Sequence, residues 1–432
     1  MGVLGRVACL AAAVLLVMPA ASADGETRGR IGPNFPVSGP AAGESDSVPE
    51  AAFDPGSNTY LVVWVDGRDA GTRGSDIYGQ RVSAAGVRLG SNFRISGGGA
   101  VAQDLSPDVA FNPVSGEFLV VWSDGRDFPT RGDDVYGQRI SAAGARLGPN
   151  FRISGGAATL NEETPRVAVD TTTGRYLVVF GDLRNHPAHG RDVYGQLVTK
   201  QGARLGTNFL ISGGGAVGNE GLVDVAFGSG PGQFLVVWED ERAAQTTGTT
   251  RNGFVHDVYG QRVSPAGARL GSNFEISGPA ADGSESRPSV AYHAGSNSYL
   301  VVWQDERTGA TCGSEIYGQR VSAAGARLGP NFPVGGPAMT GDGQDPAVAV
   351  SNGTYLVTWA AGGYAEIVAQ KVTGAGARLG PTFDVTGPGV SITGAYMPAV
   401  AGDPTQSRWL VLWQDFRTFT PTKADIYGQR VN

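Results

Sequence analysis

The chain has 432 residues, of which 41% are hydrophobic and 17% charged, with 67 glycines and 25 prolines. This composition is that of a globular protein and excludes a disordered tail or a coiled coil. With 33 basic and 40 acidic residues the formal net charge is −7. Nucleic-acid binding needs an excess of basic side chains, so we expect no nucleic-acid partner.

The first 23 residues have the pattern of a secretory signal peptide. Arg6 precedes an apolar run over 7–18, and the small residues 21–23 follow. The run is shorter than the roughly 20 apolar residues that cross a bilayer, which favours a cleaved signal over a membrane anchor. We therefore expect cleavage after Ala23, a secreted or cell-surface protein, and no membrane span.

The rest of the chain, 24–432, consists of seven copies of one unit and is predicted to form a single domain. In each unit an apolar string such as Tyr-Leu-Val-Val-Trp at 60–64 precedes an Asp-Ile-Tyr-Gly-Gln-Arg-Val string, as at 76–82. A Leu-Gly-x-Asn-Phe stretch follows, and the next unit opens on Pro-x-Val-Ala-Phe, as at 107–111. The apolar strings end at Trp64, Trp122, Phe180, Trp238, Trp303, Trp359 and Trp413.

All four recurring segments have the composition of β-strands. They are short, rich in Val, Ile, Tyr, Phe and Trp, and bounded by Gly, Pro, Asn, Asp and Ser. Gly-containing turns join them, so each unit is predicted to be a four-stranded antiparallel meander. Such a sheet cannot bury both faces alone, and seven twisted sheets that stack face to face close into a β-propeller. An open solenoid is the alternative.

The chain ends favour the closed ring. The first recognisable segment, 31–38, matches the fourth strand of a unit, and the last, 425–431, matches the third. We expect the two segments to pair and complete the seventh blade, because two sheet edges would otherwise stay open.

The repeat resembles that of exported bacterial β-propellers with Leu-Val-Val-Trp-x-Asp-x-Arg and Asp-Ile-Tyr-Gly-Gln-Arg-Val strings, and more distantly TolB-like and sialidase-like propellers. The resemblance covers the mature chain and implies the fold. The WD40, kelch and sialidase signature motifs are absent. No catalytic residue is therefore carried over from these families.

Carboxylates recur on the face that carries the long loops. If the Pro-x-Val-Ala strand is innermost, the loop after the Trp strand and the loop into the next unit emerge on the same face. Five units carry an acidic residue three positions before that strand's proline or its equivalent, whereas Gly343 and Ala395 stand there in the other two. The five residues are Asp46, Asp104, Glu162, Glu220 and Glu285.

An Asp-x-Arg motif follows the aromatic residue in six of the seven units, and unit six lacks both this motif and the carboxylate. The joint loss suggests that arginine and carboxylate are partners near the central channel. They either tie loops together or form a ligand-binding ring at the channel mouth, with calcium as a possible cation because it takes six to eight oxygens. The arginines are Arg68, Arg126, Arg184, Arg242, Arg307 and Arg417.

Three histidines lie in the long loops of units three and four: His186, His189 and His256. A His-x-x-His pair with a third histidine is a weak pattern for zinc, and exposed loop residues are the alternative. No metal site is therefore assigned, and no cofactor other than calcium is considered.

The main functional expectation is an exported, non-catalytic propeller, a monomer that binds a protein, peptide or glycan on the long-loop face. It rests on the regular repetition and on the lack of a recognised nucleophile or phosphate-binding motif. The alternative is a propeller glycoside hydrolase or lyase that uses carboxylates near the central channel. A purely structural or surface-layer role is the third possibility.

Overall fold

The structure is a computed structural model. It describes residues 29–39, 45–97, 103–155, 160–186, 190–213, 218–242, 256–278, 283–307, 313–336, 342–387, 394–417 and 423–432. The predicted signal peptide lies outside these residues, so cleavage and export stay predictions. Among the described residues, no helix has the length and apolar character needed to cross a membrane.

Seven four-stranded antiparallel sheets form the molecule, and we number them as blades 1 to 7. The innermost strands are β2 Asp46–Asp54, β6 Asp104–Asn112, β10 Glu162–Val169, β14 Glu220–Gly228, β18 Glu285–His293, β22 Gln344–Ser351 and β26 Ala395–Asp403. The second strands are β3 Thr59–Asp66, β7 Glu117–Asp124, β11 Tyr176–Asp182, β15 Gln233–Asp240, β19 Ser298–Asp305, β23 Thr354–Ala361 and β27 Arg408–Asp415. The third strands are β4 Asp76–Ser83, β8 Asp134–Ser141, β12 Asp192–Val198, β16 Asp257–Val263, β20 Glu315–Ser322, β24 Glu366–Thr373 and β28 Asp425–Val431. The outer strands are β5 Arg88–Arg94, β9 Arg146–Arg152, β13 Arg204–Leu210, β17 Arg269–Glu275, β21 Phe332–Pro333, β25 Arg378–Asp384 and β1 Arg30–Pro36.

In the part of the chain that the structure describes, helical structure is confined to single turns. The helices α1 (Ala70–Arg73) and α2 (Phe128–Arg131) lie in the loops after β3 and β7, and a 3₁₀ turn spans Ala294–Ser296. The all-β class predicted from the repeats is therefore confirmed.

The two chain ends close the ring in the predicted way. Strand β1 pairs with β28 as the outer strand of blade 7, with Phe35 opposite Gly428. The Gln429 Nε2 group donates hydrogen bonds to the carbonyl oxygens of Ile31 and Gly32, each at 3.1 Å. The innermost strand of each blade packs against that of the next, including β26 against β2. The prediction of a closed seven-bladed propeller is confirmed.

The second strands supply most of the core. Every residue of β3 is buried, and Trp64 at its end has no exposed surface. An apolar strand that is covered on both faces has this unbroken pattern. Glycine in the third strand has a packing cause: a Cβ at Gly79 would lie 2.7 Å from the Ile95 Cδ1 atom. The blades therefore stack through aromatic and aliphatic side chains, as the repeat predicts.

Candidate active site

The middle of the seven innermost strands encloses a cavity of about 390 Å³ on the propeller axis. Its floor is the x position of the Pro-x-Val motif, which is chemically different from blade to blade. From blade 1 to blade 7 the residues at this position are Glu50, Asp108, Arg166, Asp224, Ser289, Ala347 and Ala399. The first six line the cavity. Three acids and one arginine thus come from four neighbouring blades.

A β-bulge positions each of these side chains. The register shifts just before the x position in every innermost strand, for example between Ser47 and Glu50. Two residues before the x position, the backbone is left-handed, with φ between 30° and 55°, in Val48, Ser106, Thr164, Leu222, Arg287, Asp345 and Met397. This conformation is unfavourable for β-branched residues such as Val48 and Thr164. Bulges re-aim side chains, and here they bring the x residues to the cavity wall.

Two of the acids also join neighbouring blades. The Asp108 carboxylate accepts hydrogen bonds from the backbone N–H groups of Val109 at 2.8 Å and of Val167, in the next blade, at 2.7 Å. Asp224 repeats this arrangement with Val225 and Val290, both at 2.8 Å. A carboxylate has about four acceptor positions, so each retains capacity for a further partner.

Glu50 differs from these two acids, because its described polar contact is an ion pair. Its Oε1 atom lies 3.6 Å from the Arg166 Nη2 atom, and both side chains are 26% exposed. The Glu50 carboxyl group is therefore accessible from the cavity and lies beside the Arg166 guanidinium.

The carboxyl groups of Glu50 in blade 1 and Asp108 in blade 2 have different pKa values. Burial, opposed by Arg166 and reinforced by Asp108 and Asp224, raises the pKa of Glu50 to about 8. Burial also raises the pKa of Asp108, but Arg166 and the Val167 N–H group oppose it, and the result is about 6. At neutral pH Glu50 carries a proton and Asp108 is ionised. A protonated acid beside an ionised carboxylate is the arrangement that general acid and base chemistry requires.

Arg166 is the central cation of the group. Burial alone lowers its pKa, but Glu50, Asp108 and Asp224 more than offset this, and the pKa is raised. Its guanidinium stays charged and stabilises the ionised forms of the acids around it. Burial likewise raises the pKa of Asp224, with Arg166 opposing the shift.

The five carboxylates predicted for the channel mouth occupy another layer of the structure. Each is the first residue of an innermost strand, is at most 8% exposed, and lies directly opposite the aspartate of the Asp-x-Arg motif, as Asp46 lies opposite Asp66. Two facing carboxylates do not both ionise readily, so one keeps a proton. Burial, with the facing aspartate adding to it, raises the pKa of Asp46, Asp104 and Glu162 to about 8 and that of Glu220 and Glu285 to about 9.

The arginines find their main partner within their own motif. The Arg68 Nε atom donates to Asp66 Oδ1 at 2.7 Å, and its guanidinium lies 3.9 Å from the centre of the Tyr78 ring. We call this hydrogen-bonded pair of aspartate and arginine within one Asp-x-Arg motif the fork. The fork and the tyrosine contact recur at Arg126, Arg184, Arg242, Arg307 and Arg417. The predicted partnership with the other carboxylate is seen within 4 Å at Arg184 with Glu162, 3.8 Å, and at Arg307 with Glu285, 3.9 Å. Ligand binding by this ring stays a prediction.

The histidines are not grouped in the part of the chain that can be described. His256 contacts Glu241 at 3.1 Å and Ser284 at 3.2 Å, His186 lies in an exposed turn, and His189 lies outside the described residues. No three His, Cys, Asp or Glu side chains among the described residues are grouped to hold a metal ion. Zinc and calcium binding are untested.

Sequence reasoning missed the cavity acids, although their signal is present. The constant residues of the Pro-x-Val motif predict the strand, and that prediction makes no use of the x position. In a ring of equivalent strands, constant positions are those whose side chains pack between the blades. A position that varies in charge while its neighbours stay constant is therefore one whose side chain does not take part in that packing. That variation is the signal that would have identified Glu50, Asp108, Arg166 and Asp224.

No family model matches the chain, and no curated protein matches its sequence. Solved structures resemble it in fold. A Dyadobacter fermentans protein of unknown function is 12% identical, with 77% of this chain and 95% of that chain covered and a TM-score of 0.51. An α-L-arabinofuranosidase from Fusarium graminearum, in complex with an iminosugar inhibitor, is 12% identical, with 94% and 98% covered and a TM-score of 0.50. The Fusarium graminearum enzyme in complex with arabinobiose is 14% identical, with 76% and 93% covered and a TM-score of 0.50.

At these identities the likeness shows the fold, and the relation to TolB-like and sialidase-like propellers stays a prediction. The main functional expectation, a non-catalytic binding module, is wrong on this comparison, because glycoside hydrolases are among the solved structures of the same architecture. Regular repetition of the strands does not by itself exclude a catalytic site. The asymmetry lies in single side chains inside the channel.

Proposed function

We propose that the chain is a propeller glycoside hydrolase whose active site is the axial cavity. In this proposal Glu50 is the general acid and Asp108 is the carboxylate that acts as base or nucleophile. The observation that carries it is the pair of acids in one cavity with pKa values of about 8 and about 6. The fold of the Fusarium graminearum enzyme, bound to arabinobiose, makes arabino-oligosaccharides the first substrates to test.

The reaction follows from the protonation states. The Glu50 carboxyl group gives its proton to the glycosidic oxygen, so that the bond to the anomeric carbon breaks and the alcohol leaves. The Asp108 carboxylate meets the positive charge that develops on the anomeric carbon, either directly or through a water molecule that it deprotonates. Water supplies the hydroxyl group of the product. In the direct route, the ionised Glu50 takes a proton from the water molecule that displaces Asp108 from the sugar. In the water route, Asp108 releases its proton to solvent and Glu50 regains one from solvent, so both acids return to their starting states.

Arg166 has a positioning role in this scheme. Its guanidinium lies 3.6 Å from Glu50 and lowers the pKa of both Glu50 and Asp108 relative to burial alone. Without it, Asp108 would retain a larger protonated fraction at neutral pH, and the base would be lost. The hydrogen bonds from Val109 and Val167 orient the Asp108 carboxylate.

The test is a turnover assay on the purified mature chain with debranched arabinan, arabinobiose to arabinopentaose, and a panel of aryl glycosides. We expect release of reducing sugar or aryl alcohol, and a loss of at least about a thousandfold in kcat for Glu50→Gln. The matched control is Glu117→Gln. Glu117 begins β7 at the opposite face and pairs with Arg139 at 2.8 Å, so its loss leaves kcat unchanged.

Two results would contradict the proposal. One is the absence of turnover on every substrate of the panel. The other is turnover that Glu50→Gln and Glu117→Gln lower equally. Thermal melting of both variants checks that they remain folded.

A further inference from the structure

The long-loop face carries one group of side chains that has no counterpart in the other blades. It lies where blade 6 meets blade 7 and consists of Tyr364, Tyr396 and Phe416. In the remaining blades the positions equivalent to Tyr396 hold Ser47, Leu105, Glu163, Gly221, Ser286 and Gln344. The middle residues of the other Asp-x-Arg motifs are Gly67, Gly125, Leu183, Glu241 and Glu306. We call the three aromatic residues the aromatic platform.

The rings of the platform contact one another. The Tyr364 and Tyr396 rings are stacked, with centroids 4.5 Å apart and planes inclined by 25°. The Phe416 ring meets Tyr396 edge-on, with centroids 5.4 Å apart. All three side chains are half-buried. The stack covers one face of Tyr364 and one face of Tyr396, and the three partly exposed side chains form one aromatic cluster.

The backbone that presents Tyr364 is strained. The loop between β23 and β24 spans only 362–365, whereas the corresponding loop in blade 1 spans 67–75. Its residues Gly362, Gly363 and Tyr364 have φ values of 61°, 68° and 68°. A tyrosine in this region is disfavoured, and such strain persists where the surroundings hold it in place. The Ala395 N–H group, which donates to the Tyr364 carbonyl at 2.8 Å, is one such restraint.

The platform adjoins residues that line the axial cavity. Tyr396 precedes Met397, which lines the cavity and is 39% exposed. Asp345 also lines the cavity, and together with burial it raises the pKa of Tyr364, while its ion-pair partner Arg287 lowers it. Among the described residues, the short loop of blade 6 thus places Tyr364 close to the cavity residue Asp345.

We propose that the aromatic platform is a sugar-binding subsite that holds the residue next to the two that the scissile bond joins in the axial cavity. The face of an aromatic ring is electron-rich and attracts the weakly positive C–H groups on the flat side of a sugar. The inference rests on the proposed function and adds that the substrate is a neutral oligosaccharide chain that extends toward blades 6 and 7. A chain of at least three residues is then bound more tightly than a disaccharide.

Binding is measured by titration calorimetry with arabinobiose, arabinotriose and arabinopentaose, using the Glu50→Gln protein so that no turnover interferes. We expect Tyr396→Ala to weaken arabinotriose and arabinopentaose binding about tenfold and arabinobiose binding less. Tyr396→Phe keeps the ring and restores the affinity. The control Phe128→Ala removes an aromatic side chain that is 59% exposed on the loop of blade 2 and leaves the affinity unchanged.

The outcomes separate this inference from the proposed function. If the unaltered chain cleaves the oligosaccharides and Tyr396→Ala has the same kcat/KM at every chain length, the platform is not a subsite, although the hydrolase stands. If the chain cleaves none of them but Tyr396→Ala loses binding, the subsite stands and the hydrolase does not. No binding of any of the three sugars overturns the inference. Phe416→Ala serves as the second variant if Tyr396→Ala does not fold.

Discussion

Two layers of side chains surround the propeller axis, and they differ in symmetry. In the outer layer, six blades repeat the same arrangement of aspartate, arginine and tyrosine with nearly the same distances, and five of them add a tryptophan that blade 3 replaces by Phe180. In the inner layer, one position of the innermost strand holds Glu50, Asp108, Arg166, Asp224 and, in the remaining blades, small residues. The repeated layer stabilises each blade, whereas the layer that breaks the symmetry carries the proposed chemistry.

Blades 6 and 7 show that the elements of the repeated layer are separable. Blade 6 lacks the Asp-x-Arg fork, with Ala361 and Gly363 in its place, and still forms a four-stranded sheet in the ring. Blade 7 keeps the fork at Asp415 although Ala395 replaces the facing carboxylate. The fork and the facing carboxylate are therefore separable, and neither is needed in every blade.

The largest effect on stability is expected from breaking one fork. Asp305 is fully buried and accepts hydrogen bonds from Trp303 Nε1 at 2.8 Å and from Arg307 Nε at 2.7 Å. Asp305→Ala leaves these donors without a partner and lowers the free energy of unfolding by about 3 kcal/mol, with kcat unchanged. Urea unfolding measures the loss. The control is Glu306→Ala, because Glu306 is the exposed neighbour of Asp305, and its free energy of unfolding should change by no more than about 0.5 kcal/mol. If Asp305→Ala instead lost kcat and kept its stability, the outer layer and not the inner one would carry the chemistry.

The next effect concerns the pH dependence of turnover. Because Asp108 must be ionised and Glu50 protonated, kcat/KM falls below about pH 6 and above about pH 8. Arg166→Met removes the positive charge that lowers both pKa values, so both limbs move to higher pH by about one unit. A pH profile of kcat/KM for the two proteins measures the shift. If the acidic and basic limbs of the kcat/KM profile lie at the same pH in both proteins, Arg166 does not act on these acids.

The last effect concerns the pH dependence of stability. The pKa of Glu285 is raised to about 9 in the folded chain, above its ordinary value of 4.5, by burial and by the facing Asp305. The folded state thus holds a proton that the unfolded state releases between these values, and stability falls as the pH rises through this window. Glu285→Gln removes this loss, so between pH 5 and pH 9 the free energy of unfolding falls less in the variant than in the unaltered protein. Parallel stability curves for the two proteins would contradict the assignment.

The fold could be predicted from the sequence because it depends on what the repeats share. The apolar strings that end at residues such as Trp64 and Trp303 predict buried strands, and the missing strands at the two ends predict the ring closure by β1 and β28. The apolar strings recur in all seven units, so each copy supports the strand prediction made for the others. The two chain ends match different strands of one unit, so each end supplies the strand that the other lacks.

The site could not be predicted in the same way, because it depends on what the repeats do not share. Glu50 follows a proline within an inner strand, and nothing local shows that a bulge turns it toward the axis. The bulge itself relies on a left-handed residue, and Val48 and Thr164 are residues that disfavour this conformation. The aromatic platform is hidden for the same reason, since Tyr364, Tyr396 and Phe416 come together only when blades 6 and 7 are placed side by side.

The protonation state of Glu50 tests the central claim most directly, because it needs no substrate. Carboxyl carbons of the ¹³C-labelled chain can be titrated by NMR, and Glu50→Gln identifies the Glu50 resonance by its disappearance. The proposed general acid predicts a midpoint of about pH 8 for this resonance, so that Glu50 is protonated at neutral pH. A midpoint near the ordinary value of 4.5 would mean that the cavity holds no protonated acid, and the proposed mechanism would be contradicted.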